Sequence, residues 1–325
     1  MSCAHQAMGR RGCNTHAAMA SKLPHNIEQM NATMTPIDRF ASIGIWSRGS
    51  ERAPHKPLLL LLALGLFSQG IRVLPYVQYE QKLIDLLREF GPSRRSLHPE
   101  YPFWRLRNDG VWEVEAQGEM RTRASNNDVP RTELRAANAT GHFPVELQDM
   151  FSRNPRLVIE VAQLLLSAHF PESLHQDLLD AVGLSREGQD IPRRRRDPNF
   201  RNAVLSAYQY RCALCGLDLR IGNITIGLEA AHIKWHQANG PDVIENGVAL
   251  CSLHHKLFDL GAFTFEADRQ VLVSDQVHGT GQFEQVLLRH HGQRMNSPVQ
   301  PEQHPFPEFV RWHRTEVFKE QPRPT

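Results

Sequence analysis

The chain is predicted to be an α+β protein of two domains, and three observations carry that prediction. Its front half holds segments with helical hydrophobic period. Its rear half holds a β-branched stretch and two pairs of metal-ligand residues, each pair spaced two residues apart. Between the halves lies a polar stretch with the run Arg193–Arg196. A length of 325 residues accommodates two domains, and a hydrophobic content of 41% is ordinary for a globular chain. The net charge of +2 excludes a polycation. Five cysteines, an odd number, argue against a secreted disulfide framework and for a reducing, cytoplasmic setting. The longest apolar run, Pro57 to Phe67, is too short to span a bilayer.

Residues 1–34 lack an apolar signal-peptide core and read as a disordered tail, with Met34 a candidate start. Residues 35–183 read as one domain. His55 to Phe67 is apolar at every turn and is expected as a buried helix, with Pro57 in its first turn. Tyr79 to Phe90 places Leu83, Leu86, Leu87 and Phe90 on one helical face. Phe103–Leu106 and Val111–Val114 flank Asn-Asp-Gly, which predicts a hairpin with Trp104 and Trp112 in its core. Val145–Arg153, Pro155–His169 and Pro171–Val182 are expected as helices bounded by Pro or Gly.

Residues 184–198 read as a basic linker and 199–292 as the second domain. Phe200–Tyr210 is expected to be helical, Ile224–Ile233 a strand, and Gly247–Leu260 a helix that starts at Asn246. Residues 293–325 form a Pro-rich extension that packs in part through Phe306, Phe309, Trp312 and Phe318.

Cys212-x-x-Cys215 and Cys251-x-x-His254 supply four soft or borderline ligands, the set a tetrahedral structural zinc requires. His255, one residue on, is left to point elsewhere. The string LEAAHIKWH, followed by ENGVALCSLHHKLFD, resembles the HNH endonuclease family. The resemblance implies a ββα-metal nuclease fold and cleavage of double-stranded DNA with a divalent ion, Mn²⁺ or Mg²⁺. It implies His232 as general base, Asn246 as the residue that orients the base or the ion, and His255 as an ion ligand. Many relatives carry an acidic residue directly before the first His, and here that residue is Ala231. The catalytic ion then rests on His255, Asn246 and phosphate oxygens, or recruits Glu229, His236 or Asp259. Asp259 is also a reasonable partner to orient His255.

The segments APHKPLLLLLALGLF, HPEYPFWRLRNDGVWEV and RTELRAANATGHFP, in this order before an HNH motif, resemble the sulfur-binding domain of phosphorothioated-DNA-dependent restriction endonucleases. That resemblance implies that Tyr101 and Pro102 form an apolar cup for the sulfur. It implies His55, Lys56 and Arg131 as the surrounding basic contacts. The family commonly has a second Gly where this chain has His142. The reading is therefore a type IV, modification-dependent restriction endonuclease, compatible with a homodimer. Its rivals are an HNH nuclease directed to 5-methylcytosine and a DNA-binding regulator with a decayed nuclease.

Overall fold

The computed structural model describes residues 34–46, 51–184 and 198–324. The Arg193–Arg196 run, Cys3, Cys13 and the tail before Met34 lie outside the described residues. The described residues from Pro36 onward form one compact unit.

The front half is built around the helix His55–Ser68. Every residue from Pro57 to Phe67 is buried, because helices Tyr76–Phe90, Glu100–Arg105, Pro155–His169 and His175–Val182 all pack against it. This surrounding is why an all-apolar helix needs no membrane: each fully buried leucine is stabilised by about 1.5–3 kcal/mol. Among the described residues, no helix is long and apolar enough to cross a membrane. Tyr76–Phe90 buries Leu83, Leu86, Leu87 and Phe90 as its periodicity requires.

The expected hairpin does not form. Phe103–Leu106 instead belongs to the helix Glu100–Arg105, which continues as a 3-10 turn over Leu106–Asp109 and ends at Gly110 with φ 69°. A glycine with positive φ serves a helix C-terminus as well as a two-residue hairpin, so Asp-Gly carries the same local signal in both. Tertiary contacts decide between them. Asp109 accepts from the Lys56 ammonium at 2.5 Å and from the Gly44 N–H at 2.8 Å, which anchors the turn. Trp104 and Trp112 are buried nonetheless. The strand Glu113–Glu115 pairs with Thr140–His142, which also pairs with Leu74–Pro75 in a three-stranded antiparallel sheet. Pro171–Val182 divides into a 3-10 turn, Glu172–Leu174, and the helix His175–Val182.

In the rear half, helix Pro198–Ala207 packs on an antiparallel pair, Leu228–His232 with Gly247–Cys251. The register places His232 opposite Gly247 and Leu228 opposite Cys251. The segment from Gly247 is thus a strand first and a helix, Ser252–Asp259, only afterwards. All five strand residues are buried, and an apolar run covered on both faces shows no period that separates strand from helix. Gly247 is where the preceding helix crosses, since a Cβ there would lie 2.3 Å from Val204. The strand expected over Ile224–Ile233 is broken into Ile224–Thr225 and Leu228–His232.

The C-terminal helix Pro307–Glu316 joins the halves. Phe309 and Val310 enter the rear core, while Trp312, with Trp235 and Val317, enters the front one. Phe318 is also buried, whereas Phe306 is 47% exposed. Arg52 of the front half bonds the Glu316 carboxylate and carbonyl and the Phe90 carbonyl. Arg94 grips both oxygens of Glu316 at 3.0 Å.

Candidate nuclease and DNA-recognition sites

The turn through Cys212 and Cys215 closes on itself, with Gly216 N–H donating to Cys212 O at 2.8 Å and Cys212 N–H to Leu217 O at 2.9 Å. Ala213 N–H donates to Ala249 O at 2.7 Å, pinning the turn to the strand Gly247–Cys251. That strand ends at Cys251, which caps the helix carrying His254. The ligand atoms of Cys212, Cys215, Cys251 and His254 therefore all lie within 4.8 Å of one another. Among the described residues this is the metal-competent His/Cys/Asp/Glu group. His254 Nε2–H donates to Val286 O at 2.9 Å, which turns the Nδ1 lone pair towards the thiols. A ligating histidine is oriented in this way by its second nitrogen. Hydrogen bonding between the crowded thiols pushes Cys212 well below the ordinary thiol range and Cys215 well above it. Three thiol sulfurs and one imidazole with a set tautomer fit a tetrahedral metal ion.

His232 ends its strand with Nε2 2.7 Å from Asp242 Oδ1. Its ring stacks on Phe200 at 4.1 Å, so both its plane and its tautomer are held. Asn246 is fully buried. Its Oδ1 accepts from Lys234 N–H at 2.8 Å, and its amide group donates to Lys234 O and Pro241 O, each at 2.9 Å. It sits at the end of a 3-10 turn, Ile244–Asn246, and does not start the helix. With the amide saturated by backbone and shut from solvent, Asn246 ties the two ends of the 234–246 loop together; it is not placed to ligate an ion.

His255 lies between two carboxylates, with Nδ1 2.5 Å from Glu229 Oε2 and Nε2 3.1 Å from Asp259 Oδ2. Strand side chains alternate, so Glu229 shares a face with Ala231 and brings a carboxylate to the side where position 231 has none. Ser252 Oγ donates to the other Glu229 oxygen at 2.9 Å. Asp259 also accepts from Trp235 Nε1–H at 3.1 Å. Burial raises the Asp259 pKa, but His255 and the hydroxyl of Ser173 outweigh that and hold it below the usual carboxylate range.

On the front half, the Tyr101 ring stacks on His98 at 4.5 Å. The Arg105 guanidinium lies 4.5 Å from the Tyr101 ring centre, and Arg123 donates to the Tyr101 hydroxyl at 3.2 Å. Burial, then the charges of His98, Arg94 and Arg105, depress the His55 pKa to about 4, so this ring is neutral at neutral pH. The other expected positions lie as follows. Pro102 is buried, so Tyr101 alone of that pair presents surface. Lys56 is engaged by Asp109 and by Gly44 O. Arg131 donates to Leu97 O at 2.6 Å and pairs with the buried Glu100 at 3.4 Å. His142 lies in a strand, within 3.6 Å of the carboxylates of Glu113 and Glu115.

Residues 33–187 match the family model of the ScoMcrA-like DNA sulfur-binding domain, and residues 212–266 match an HNH endonuclease model. The chain carries a DNA sulfur-binding domain followed by an HNH endonuclease domain. Solved structures similar to part of it include the sulfur-binding domain of ScoMcrA complexed with phosphorothioated DNA. That match has 22% identity and a TM-score of 0.41, over 46% of this chain and 96% of that one. The sulfur-binding domain of SprMcrA, also complexed with phosphorothioated DNA, matches at 24% identity and a TM-score of 0.39, over 46% and 91%. The type IV phosphorothioation-dependent restriction endonuclease ScoMcrA matches at 21% identity and a TM-score of 0.39, and this chain covers 32% of its length. No curated protein matches the chain.

Several site residues of the endonuclease carry little local signal. Asp242 and Arg123 arrive on loops whose closure only the fold sets. Arg105 was detectable: it follows Tyr101 by four residues, the spacing that places side chains together on a helix. Ser173 and Trp235 reach the nuclease helix from distant segments.

Proposed function

We propose that this endonuclease is a modification-dependent restriction enzyme that recognises phosphorothioate-bearing duplex DNA and hydrolyses phosphodiester bonds near it. The observation that carries the reading is the union of the two family domains in one compact unit. His232 is the general base. The Asp242 carboxylate accepts from Nε2–H, so Nδ1 holds the lone pair that takes a proton from water. Phe200 keeps the ring in the plane that transfer requires. Asn246 positions His232 indirectly, by fixing the loop that also bears Asp242. Glu229 and His255 are the residues that would hold a divalent ion, Mn²⁺ or Mg²⁺. Such an ion, when bound, supplies charge to the phosphate in the transition state. Cys212, Cys215, Cys251 and His254 hold a structural zinc that braces the strand and helix bearing these groups.

Recognition rests on Tyr101. Sulfur is larger and less strongly hydrated than oxygen, so an aromatic face favours it, and nearby cations satisfy the phosphate charge. The cations at the rim of Tyr101 are Arg123 and Arg105, the second held in place by the buried Asp128. The test is a gel shift of the full chain on matched phosphorothioate and ordinary duplexes. Tyr101→Ala should erase most of the preference for sulfur. Arg105→Ala should weaken binding to both duplexes and flatten the salt dependence. Equal binding of both duplexes by the unaltered protein, across a range of salt, would remove the sulfur reading and favour a modified base.

A further inference from the structure

The carboxylate that backs His255 is shared between the two domains. Asp259 lies one helical turn after His255, is 3% exposed, and accepts hydrogen bonds from three sides. His255 and Trp235 belong to the nuclease half. The third donor is the hydroxyl of Ser173, which bonds Asp259 Oδ2. Ser173 sits in the 3-10 turn Glu172–Leu174, inside the segment matched to the sulfur-binding family. That turn packs directly on the nuclease helix. A second contact crosses the same seam, an ion pair between Asp177 and Lys256. On the other side of Trp235, the Arg52 guanidinium of the front half lies 3.9 Å over the ring.

We propose that Ser173 is a positioning residue of the nuclease site, so that the sulfur-binding domain supplies part of the catalytic geometry as well as the docking. The inference rests on the reading of His255 as a nuclease residue. A buried carboxylate can rotate about its terminal torsion, and each fixed donor removes some of that freedom. Ser173 and His255 meet the same oxygen, Oδ2, while Trp235 takes Oδ1. With the hydroxyl in place the carboxylate plane is set, and with it the tilt of the imidazole, whose Nε2–H Asp259 accepts and whose Nδ1 faces Glu229. Without it, Oδ2 keeps one donor and the ring loses its fixed backing. The nuclease half alone cannot restore this bond, because the donor comes from the front domain.

The test uses the full chain and the substrate duplex that it cuts. Ser173→Ala should lower the cutting rate at saturating DNA by about ten- to one-hundred-fold, the effect of one hydrogen bond to a charged group. Its DNA affinity should change by less than about two-fold, because Ser173 faces the nuclease helix and not the recognition surface. Ser173→Thr, which keeps the hydroxyl, should recover most of the rate. Asp177→Asn weakens the seam without touching Asp259 and should cut within about three-fold of the unaltered protein. His255→Ala is the control for the underlying reading. If it cuts normally, the assignment of His255 is wrong and this inference goes with it. If His255→Ala is inactive while Ser173→Ala cuts normally, the positioning role alone is refuted. It is refuted equally if Asp177→Asn falls as far as Ser173→Ala, or if Ser173→Thr fails to recover while its melting temperature is unchanged; either result would assign the loss to general disruption of the seam.

Discussion

Asn246→Ala should destabilise the protein before it affects any chemistry. The side chain is fully buried and makes three hydrogen bonds, of 2.8, 2.9 and 2.9 Å, all to backbone. Truncation leaves the Lys234 N–H and the Lys234 and Pro241 carbonyls without these partners. At about 1 kcal/mol net for each bond, the loss is about 3 kcal/mol. In a large domain each kcal/mol lowers the melting temperature by about 2–4 °C, so a fall of roughly 6–12 °C is expected. Asn246→Asp should be at least as damaging, because it replaces two donors with a charge that faces two carbonyl oxygens. Scanning calorimetry gives the shift, and amide exchange across residues 234–246 shows whether the loop opens. If Asn246→Ala melts with the unaltered protein, keeps its exchange pattern and loses only divalent-ion binding, the loop-tying argument fails and the residue is an ion ligand after all.

Purified protein should carry one tightly held zinc; Cys251→Ser should lose it and unfold at lower temperature, since such a site contributes folding free energy directly. Metal analysis that finds full zinc in the variant would contradict the assignment. His232→Ala should reduce cutting by at least a thousand-fold while DNA affinity and melting temperature stay close to normal, measured by single-turnover cleavage. Acid should destabilise the fold in a specific window. Burial depresses His313 to about 3, and His55 and His169 each to about 4. Their unfolded values lie near 6.5, so between that pH and the folded values the unfolded chain binds more protons, and stability falls as pH drops. Each group then costs on the order of 2 kcal/mol at pH 5. The melting temperature should decline steadily from pH 7 to pH 5; a flat profile over that range would contradict these burials.

The parts of the molecule that were legible in the sequence are those set by local spacing. The Cys-x-x-Cys and Cys-x-x-His pairs predict a metal group that the fold assembles within 4.8 Å. The buried helix His55–Ser68 follows from the length of its apolar run and Pro57 in its first turn, and the amphipathic Tyr76–Phe90 from its apolar period. Local spacing failed where two structures share one signal. Asp109-Gly110 suits a hairpin and a helix end alike, and contacts from Gly44 and Lys56, distant in sequence, selected the helix end. Gly247–Cys251 is apolar throughout, so only its pairing with Leu228–His232 makes it a strand. The same limit applies to the sites. Lys56 and Arg131 carry the expected charge, and the sequence does not reveal that Asp109 and the buried Glu100 pair with them. Asp242 and Ser173 reach their histidine and carboxylate partners through folding of segments that carry no motif.

Cleavage of paired duplexes tests the central claim most directly. Two DNAs of identical sequence, one with a backbone phosphorothioate and one without, are incubated with the full chain and Mn²⁺ or Mg²⁺, and the products are mapped at nucleotide resolution. The account predicts cuts in the modified duplex, none at the matching positions of the ordinary one, and none in either with His232→Ala. Equal cutting of both duplexes, or cutting that follows a methylated base and ignores the sulfur, would contradict it.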